Sequence, residues 1–229
     1  MLTVNNLEVA YGQSLVIPDM SFSAEKGQIL GIVGRNGMGK STLFRSLIGM
    51  IPSRSGKIEI GGKDITKAPP YRRVANGIAF VPQGRMIFPY LSVYDNLISG
   101  VQGRVKRDAV EEIYALFPVL QEMRNRKGGN LSGGQQQQLA IGRALMTNPS
   151  VLLLDEPTEG IQPSIIKDIS RTLREIRDMK NLTIIVSEQV LSFVLDTCDR
   201  LMVIEKGKLI REDDRASVDA EKIKAMLAV

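Results

Sequence analysis

"QILGIVGRNGMGKSTLFRSLIGM", Gln28 to Met50, holds three kinds of text in one run. Gln28 to Val33 is an apolar stretch of strand length, Leu43 to Met50 brings apolar residues back at helical spacing, and between them lies "GRNGMGKST". That middle piece, Gly34, Arg35, Asn36, Gly37, Met38, Gly39, Lys40, Ser41 and Thr42, fits the Walker A pattern Gly-x4-Gly-Lys-Ser/Thr in the strand-to-helix setting that its mechanism requires. Glycines let backbone N–H groups turn inward around phosphate oxygens, Lys40 reaches the β and γ phosphates, and Ser41 can hold Mg²⁺. The alternative, a glycine-rich turn that happens to precede a helix, is weakened by the matching flanks.

Outward from this loop the chain changes character twice. The opening third is β-rich: "LTVNNLEVAYG", "SLVIPDMSFSAEKG" and "GKIEIGGKDI" read as strands, with Gly61-Gly62 as a two-residue hairpin signal. "GIAFVP" is a further buried-strand candidate, after which a helical insert is expected from about Gly84 to Asn148. Alternation of strand and helix then resumes with "VLLLDEP", "LTIIVSE" and "RLMVIEKGKLI", the habit of an α/β protein with a parallel sheet. Between the first two, Ile165, Ile169, Leu173 and Ile176 mark the buried face of a helix that Pro163 opens.

"VLLLDEP" ends an apolar strand in two carboxylates. Downstream of a phosphate-binding loop, Asp155 is placed to bind Mg²⁺ directly or through water, and Glu156 to orient or deprotonate an attacking water. Composition narrows the remaining chemistry. The chain of 229 residues has no His and a single cysteine, Cys198, which excludes a Ser/His/Asp triad, a Cys/His pair and a typical zinc site. A net charge of +5 comes from cations spread among nearly as many acids, with no basic block interleaved with aromatics, so nucleic acid is not expected as a partner. No apolar run approaches the roughly 20 residues of a bilayer-crossing helix. No secretory signal is visible, and a reducing, cytoplasmic location is expected.

One stretch remains: "NLSGGQQQQLAIGRAL", Asn130 to Leu145. Walker A "GRNGMGKS", then "LSGGQ", then "LLLDEP", in that order, resemble an ABC-type ATPase over nearly the whole chain. The resemblance implies a P-loop NTPase core of RecA type with an N-terminal antiparallel β-subdomain and an inserted α-helical subdomain. It makes 1–229 a single ATP-binding domain, with 1–84 and 149–229 as catalytic core plus β-subdomain and 85–148 as helical subdomain. It implies that Ser132, Gly133, Gly134 and Gln135 start a helix whose end caps an ATP γ-phosphate held by a second cassette, so two chains pack head to tail around two ATP molecules. The glutamine run then reads as the first turn of that helix.

Further roles come with the resemblance. Tyr11 matches the aromatic that stacks on adenine; without the family it reads as a partly exposed strand tyrosine. Gln83 matches the glutamine that touches Mg²⁺ or the water and links the site to the insert. Met86, Ile87, Phe88, Tyr90 and Leu91 are apolar for a connection, and the family places a docking groove for a helix of the membrane subunit here; core packing is the alternative for each. Relatives commonly carry arginine where Gln136 and Gln138 stand. They carry His where this chain has Gln189, an amide that can donate to a phosphate or hold a water but cannot carry a proton charge. Gln162 likewise replaces the usual aspartate of the turn before the next helix.

The strings "VPQGRMIFPYLSVYDNL", "ALFPVL" and "EPTEGIQPSIIKDI" are similar to the ATPase subunits of bacterial importers for urea and branched-chain amino acids, closest to the urea type. That resemblance implies transmembrane permease partners, a second ATPase subunit identical or different, an indirectly coupled solute-binding protein, and a peripheral place on the inner face of the cell membrane. A soluble ABC ATPase of a nucleic-acid or translation class would need two cassettes or a long coiled-coil insertion, which this length lacks. A GTPase would need an Asn-Lys-x-Asp motif, which is absent.

Overall fold

A computed structural model of the chain describes residues 1–228. The chain opens with β1 (Leu2–Tyr11), β2 (Ser14–Ala24) and β3 (Ile29–Val33), then α1 (Lys40–Leu47), β4 (Ser55–Ile60) and β5 (Lys63–Asp64). After α2 (Pro70–Ala75) and β6 (Ile78–Val81) come four helices in a row: α3 (Val93–Ile98), α4 (Arg107–Leu116), α5 (Pro118–Glu122) and α6 (Gly133–Leu145). The last part runs β7 (Val151–Asp155), α7 (Pro163–Lys180), β8 (Thr183–Glu188), α8 (Leu191–Thr197), β9 (Arg200–Glu205), β10 (Lys208–Asp214) and α9 (Ala220–Ala228).

Two sheets result. An antiparallel sheet has the order β2-β1-β4-β5, and its last hairpin turns at Gly61-Gly62, both left-handed, with Ile60 opposite Lys63. The central sheet has the order β10-β9-β3-β8-β7-β6, parallel throughout except for the edge strand β10. "RLMVIEKGKLI" is therefore not one strand of a parallel sheet but a hairpin closed at Lys206-Gly207.

The parallel strands are apolar on both faces because each face is covered. On β3, Leu30 and Ile32 join Phe44, Leu47 and the antiparallel sheet's Leu2, Leu7 and Ile17 in one core. Ile29 and Val33 face the other way, into a core shared with α6, α7 and α8. β7 divides the same way, with Val151 and Leu153 in the first core and Leu152 and Leu154 in the second. The second core continues without a break through Val93, Leu97, Val110, Ile113 and Leu120, so helices α3 to α6 are packed onto the sheet.

Helix α7 buries Ile169, Leu173 and Ile176 as its spacing predicts, and Ile165 is partly buried against the same core. α2 and α5, two single-turn helices each opened by a proline, carry too little periodicity to be read from sequence.

Gly31 sits where α8 crosses β3. A Cβ there would lie 2.5 Å from Val194 Cγ1 and 2.9 Å from Cys198 Sγ. The same burial pushes the Cys198 thiol well up from its ordinary pKa and keeps it un-ionised. Because the site is fully packed, Gly31→Val should lower the unfolding free energy by about 1–3 kcal/mol, read as a shift in urea midpoint with unchanged slope.

Candidate active site

Every strand that feeds the site does so from its carboxyl end, the edge at which ligands bind in open α/β sheets. β3 delivers the loop 34–39, β6 delivers Gln83, β7 delivers Asp155 and Glu156, and β8 delivers Glu188 and Gln189. Because β3, β8, β7 and β6 are neighbours in register, these four termini lie side by side.

The loop turns on Gly37 (φ 80°) and Gly39 (φ 100°), left-handed conformations that glycine adopts without strain. It is held from behind: Gly207 N–H donates to Met38 O at 3.0 Å, and a Cβ on Gly207 would lie 1.8 Å from Val16 O, so only glycine lets the β9–β10 turn pass between the loop and β2. Helix α1 then starts at Lys40 with no side-chain cap and no acid in its first turn. Its orphan N–H groups, with the partial positive charge of the helix end, are left for an anion. A cavity of about 220 Å³ lies in front of them, lined by Val16, Arg35, Asn36, Gly37, Gly39, Lys40, Ser41, Thr42, Gln83 and Glu156. This donor set fits the phosphates of a nucleotide.

Lys40 is 4% exposed, and its Nζ donates to Gly34 O at 2.6 Å and Arg35 O at 3.1 Å while pairing with Glu156 Oε1 at 3.2 Å. The Glu156 carboxylate collects two further donors: Gln189 Nε2 to Oε1 at 3.1 Å and Gln83 Nε2 to Oε2 at 3.3 Å. All four residues expected to act in hydrolysis thus meet at one carboxylate. Glu156 holds a left-handed backbone (φ 48°), fixed by its N–H donating to Ser187 O at 3.0 Å; such strain in a non-glycine residue persists only where the surroundings enforce it.

Asp155 is buried, accepts a hydrogen bond from Ser187 Oγ, and has the Ser41 hydroxyl within hydrogen-bonding reach. Burial raises its pKa above the ordinary carboxylate range, against the opposing hydrogen bonds from Ser187 and Ser41. Among the described residues no group of three or more His, Cys, Asp or Glu side chains forms a metal cage. Mg²⁺ needs none: it takes one or two protein oxygens beside phosphate and water, and Ser41 and Asp155 offer these.

Ser132 caps α6, accepting from Gln135 N–H at 3.3 Å, while Gln135 Oε1 accepts from Ser132 N–H at 2.9 Å. Gln135, expected among the nucleotide contacts, spends that side-chain oxygen on the cap, and Ser-x-x-Gln is itself the spacing of a capping box. Ser132, Gly133 and Gly134 do not line the cavity in front of Lys40, nor does Tyr11, which is 46% exposed at the end of β1.

Sequence reading missed Glu188. It is 2% exposed and accepts four hydrogen bonds: Thr158 N–H at 3.0 Å and Oγ1 at 2.6 Å, Gln189 N–H at 3.0 Å and Val190 N–H at 3.3 Å. One carboxylate therefore clamps the turn after Glu156 to the loop that carries Gln189. Burial nonetheless pushes its pKa up. The one sequence signal was an acid ending an otherwise apolar strand.

For a carboxyl whose folded pKa is raised, the favourable contribution is complete below the unfolded pKa and is lost as pH rises through the folded one. Raising the pH above the unfolded pKa of Asp155 therefore costs stability. In protein without nucleotide, Asp155→Asn should raise the melting temperature more at pH 8 than at pH 5, while Mg²⁺-dependent ATP binding falls.

Residues 17–159 match the model of the ABC transporter family. The chain is 37% identical over 221 residues to the high-affinity branched-chain amino acid transport ATP-binding protein BraG of Pseudomonas aeruginosa, covering 95% of this chain and 94% of that one. It is 36% identical over 215 residues to the lipopolysaccharide export system ATP-binding protein LptB of Escherichia coli, covering 91% and 88%. Among solved structures it is similar to cbiO1 of Clostridium perfringens, part of the ABC transporter complex cbiONQ, with a TM-score of 0.86, 28% identity and coverage of 96% and 91%. The chain belongs to the ABC transporter family as one of its ATP-binding, ATP-hydrolysing subunits.

Proposed function

We propose that this chain energises solute import: two cassettes close head to tail around Mg-ATP, and the cycle of closure and hydrolysis moves transmembrane partners. The observation that carries the hydrolytic part is the convergence of Lys40, Gln83 and Gln189 on Glu156. Ser41 and Asp155 would hold Mg²⁺, which would supply charge neutralisation. The chain's own groups do the rest. Backbone N–H groups of 34–40 and the Lys40 ammonium bind phosphate, Glu156 accepts the proton of the attacking water, and the Gln83 and Gln189 amides fix where that carboxylate points. Ser132 and the amides of Gly133 and Gly134 cap the nucleotide of the second cassette, a reading supported by their absence from the cavity lined by Lys40. Within the chain, 85–148 is the helical subdomain, inserted between 1–84 and 149–229.

The partner is a membrane permease. No helix among the described residues is long and apolar enough to cross a membrane. Met86, Phe88, Tyr90 and Leu91 are exposed, while Ile87 packs into the core, so four of the five apolar residues after Gln83 are free to receive a partner's helix at the inner membrane face. An open groove of about 330 Å³ lies beside them, lined by Met86, Phe88, Ser99, Arg143 and Thr147 among others. For the solute, the strings around Gln83 and Asp155 favour urea, with a binding protein delivering it from outside. A branched-chain amino acid is the second reading, favoured by relatives named for that transport in Pseudomonas aeruginosa and Archaeoglobus fulgidus.

The test uses the whole complex, purified with its permease and any sister ATPase and reconstituted in vesicles. Wild type should take up labelled urea or leucine only with Mg-ATP, and which of the two accumulates decides the solute; accumulation of neither refutes both. Glu156→Gln should lower kcat by roughly 10²–10³-fold with ATP affinity within a few-fold, and Phe88→Ala should lose uptake while ATP binding persists. Unchanged turnover in the Gln variant would remove Glu156 from its role.

Tyr11, half-exposed and outside the phosphate cavity, is proposed as the base-stacking surface. Tyr11→Ala should weaken ATP and GTP alike by about 1–3 kcal/mol in equilibrium binding; equal affinities would rule out stacking.

A further inference from the structure

Three consecutive residues after Gln83 are left-handed: Gly84 (φ 77°), Arg85 (φ 67°) and Met86 (φ 46°). Two of them are not glycine, and a run of this kind persists only where it is held from outside. Arg143, in the last turn of α6, supplies part of the hold, donating from Nη2 to Met86 O at 2.8 Å and lying 5.3 Å from the Phe88 ring. The other part is Arg85 itself. Its Nη2 donates to Glu159 O at 2.7 Å, on the turn where Glu159 N–H donates back to Glu156 O at 3.2 Å.

The guanidinium also lies against the start of α6. A Cβ on Gly133 would be 3.4 Å from Arg85 Nη2 and 3.3 Å from Gly160 O, and one on Gly160 would be 3.6 Å from the same nitrogen. The segment after Gln83 and the turn after Glu156 are thus joined by a hydrogen bond, and the N-terminus of α6 lies close beside both within one protomer. The planar guanidinium is the piece between them. A planar group with several donors suits that place in a way a flexible ammonium does not.

We propose that Arg85 is a positioning residue that locks the Ser132 end of α6 to the turn 156–160 and to Gln83, so that a protomer presents its phosphate-capping end in one fixed relation to its own hydrolytic carboxylate. Arg85 touches neither the cavity before Lys40 nor any reacting atom. Its effect falls on closure between protomers and not on nucleotide binding by one. This rests on the head-to-tail dimer proposed above, and the experiment separates the two.

In the Glu156→Gln background, which slows hydrolysis, ATP-dependent association is followed by sedimentation velocity, and protomer affinity by binding of a fluorescent ATP analogue at high dilution. Arg85→Ala should weaken association at least tenfold with analogue affinity changed less than twofold, and Arg85→Lys should recover part of the loss. Undiminished association in Arg85→Ala overturns the inference while leaving the dimer standing. An equal fall in analogue affinity, or a loss of association matched in Arg85→Lys and accompanied by a lowered melting temperature, overturns it in favour of a merely structural bond. If the Glu156→Gln protein with Arg85 intact does not associate with ATP at all, the dimer reading falls and this inference with it.

Discussion

A buried ammonium has to be matched, and most of the site follows from how Lys40 is matched. Leaving a charge of this kind unpaired in a low-dielectric interior costs several kcal/mol, so Lys40 is surrounded by two loop carbonyls and the Glu156 carboxylate. Glu156 in turn is too enclosed to rely on water and is satisfied by amides from two further segments. One ion pair thereby fixes the phosphate loop, the end of β7, the segment after β6 and the loop after β8 with respect to each other. Lys40 has a single ammonium, and phosphate competes for it with Glu156. A phosphate that took up the Lys40 ammonium would thus loosen the ion pair that holds Glu156.

The sheet makes this economy possible. Five parallel strands with both faces covered leave only their carboxyl ends for chemistry, and the strand order puts β3, β8, β7 and β6 next to one another. The antiparallel sheet and the Gly207 turn close the phosphate loop from the far side, where a methyl group would collide with β2. Burial raises the cost of ionisation at two carboxyls on this edge, Asp155 and Glu188.

Much of this was legible because the chemistry is local in sequence. The phosphate loop needs its glycines, lysine and hydroxyl within nine positions, and the strand before it and helix after it are continuous with them. "VLLLDEP" shows its acids at a strand end for the same reason. What depends on segments far apart was not legible. Glu188 looks like a strand ending in solvent until Thr158, thirty residues earlier, is seen donating to it. Arg85 reads as a loop cation until Glu159 and Gly133 arrive beside it. The reversed edge strand β10 was missed because Lys206-Gly207, set in the polar run Glu205 to Lys208, is not one of the commonest two-residue hairpin turns. Gln135 was visible in principle, since the capping-box spacing is a local signal.

Gln189 contacts Glu156 through a carboxamide, a group with no proton to gain or lose in water. The chain contains no imidazole at all. A proton taken up at Glu156 would therefore have no relay through that contact. The acidity of the surroundings has no imidazole in this chain through which to act.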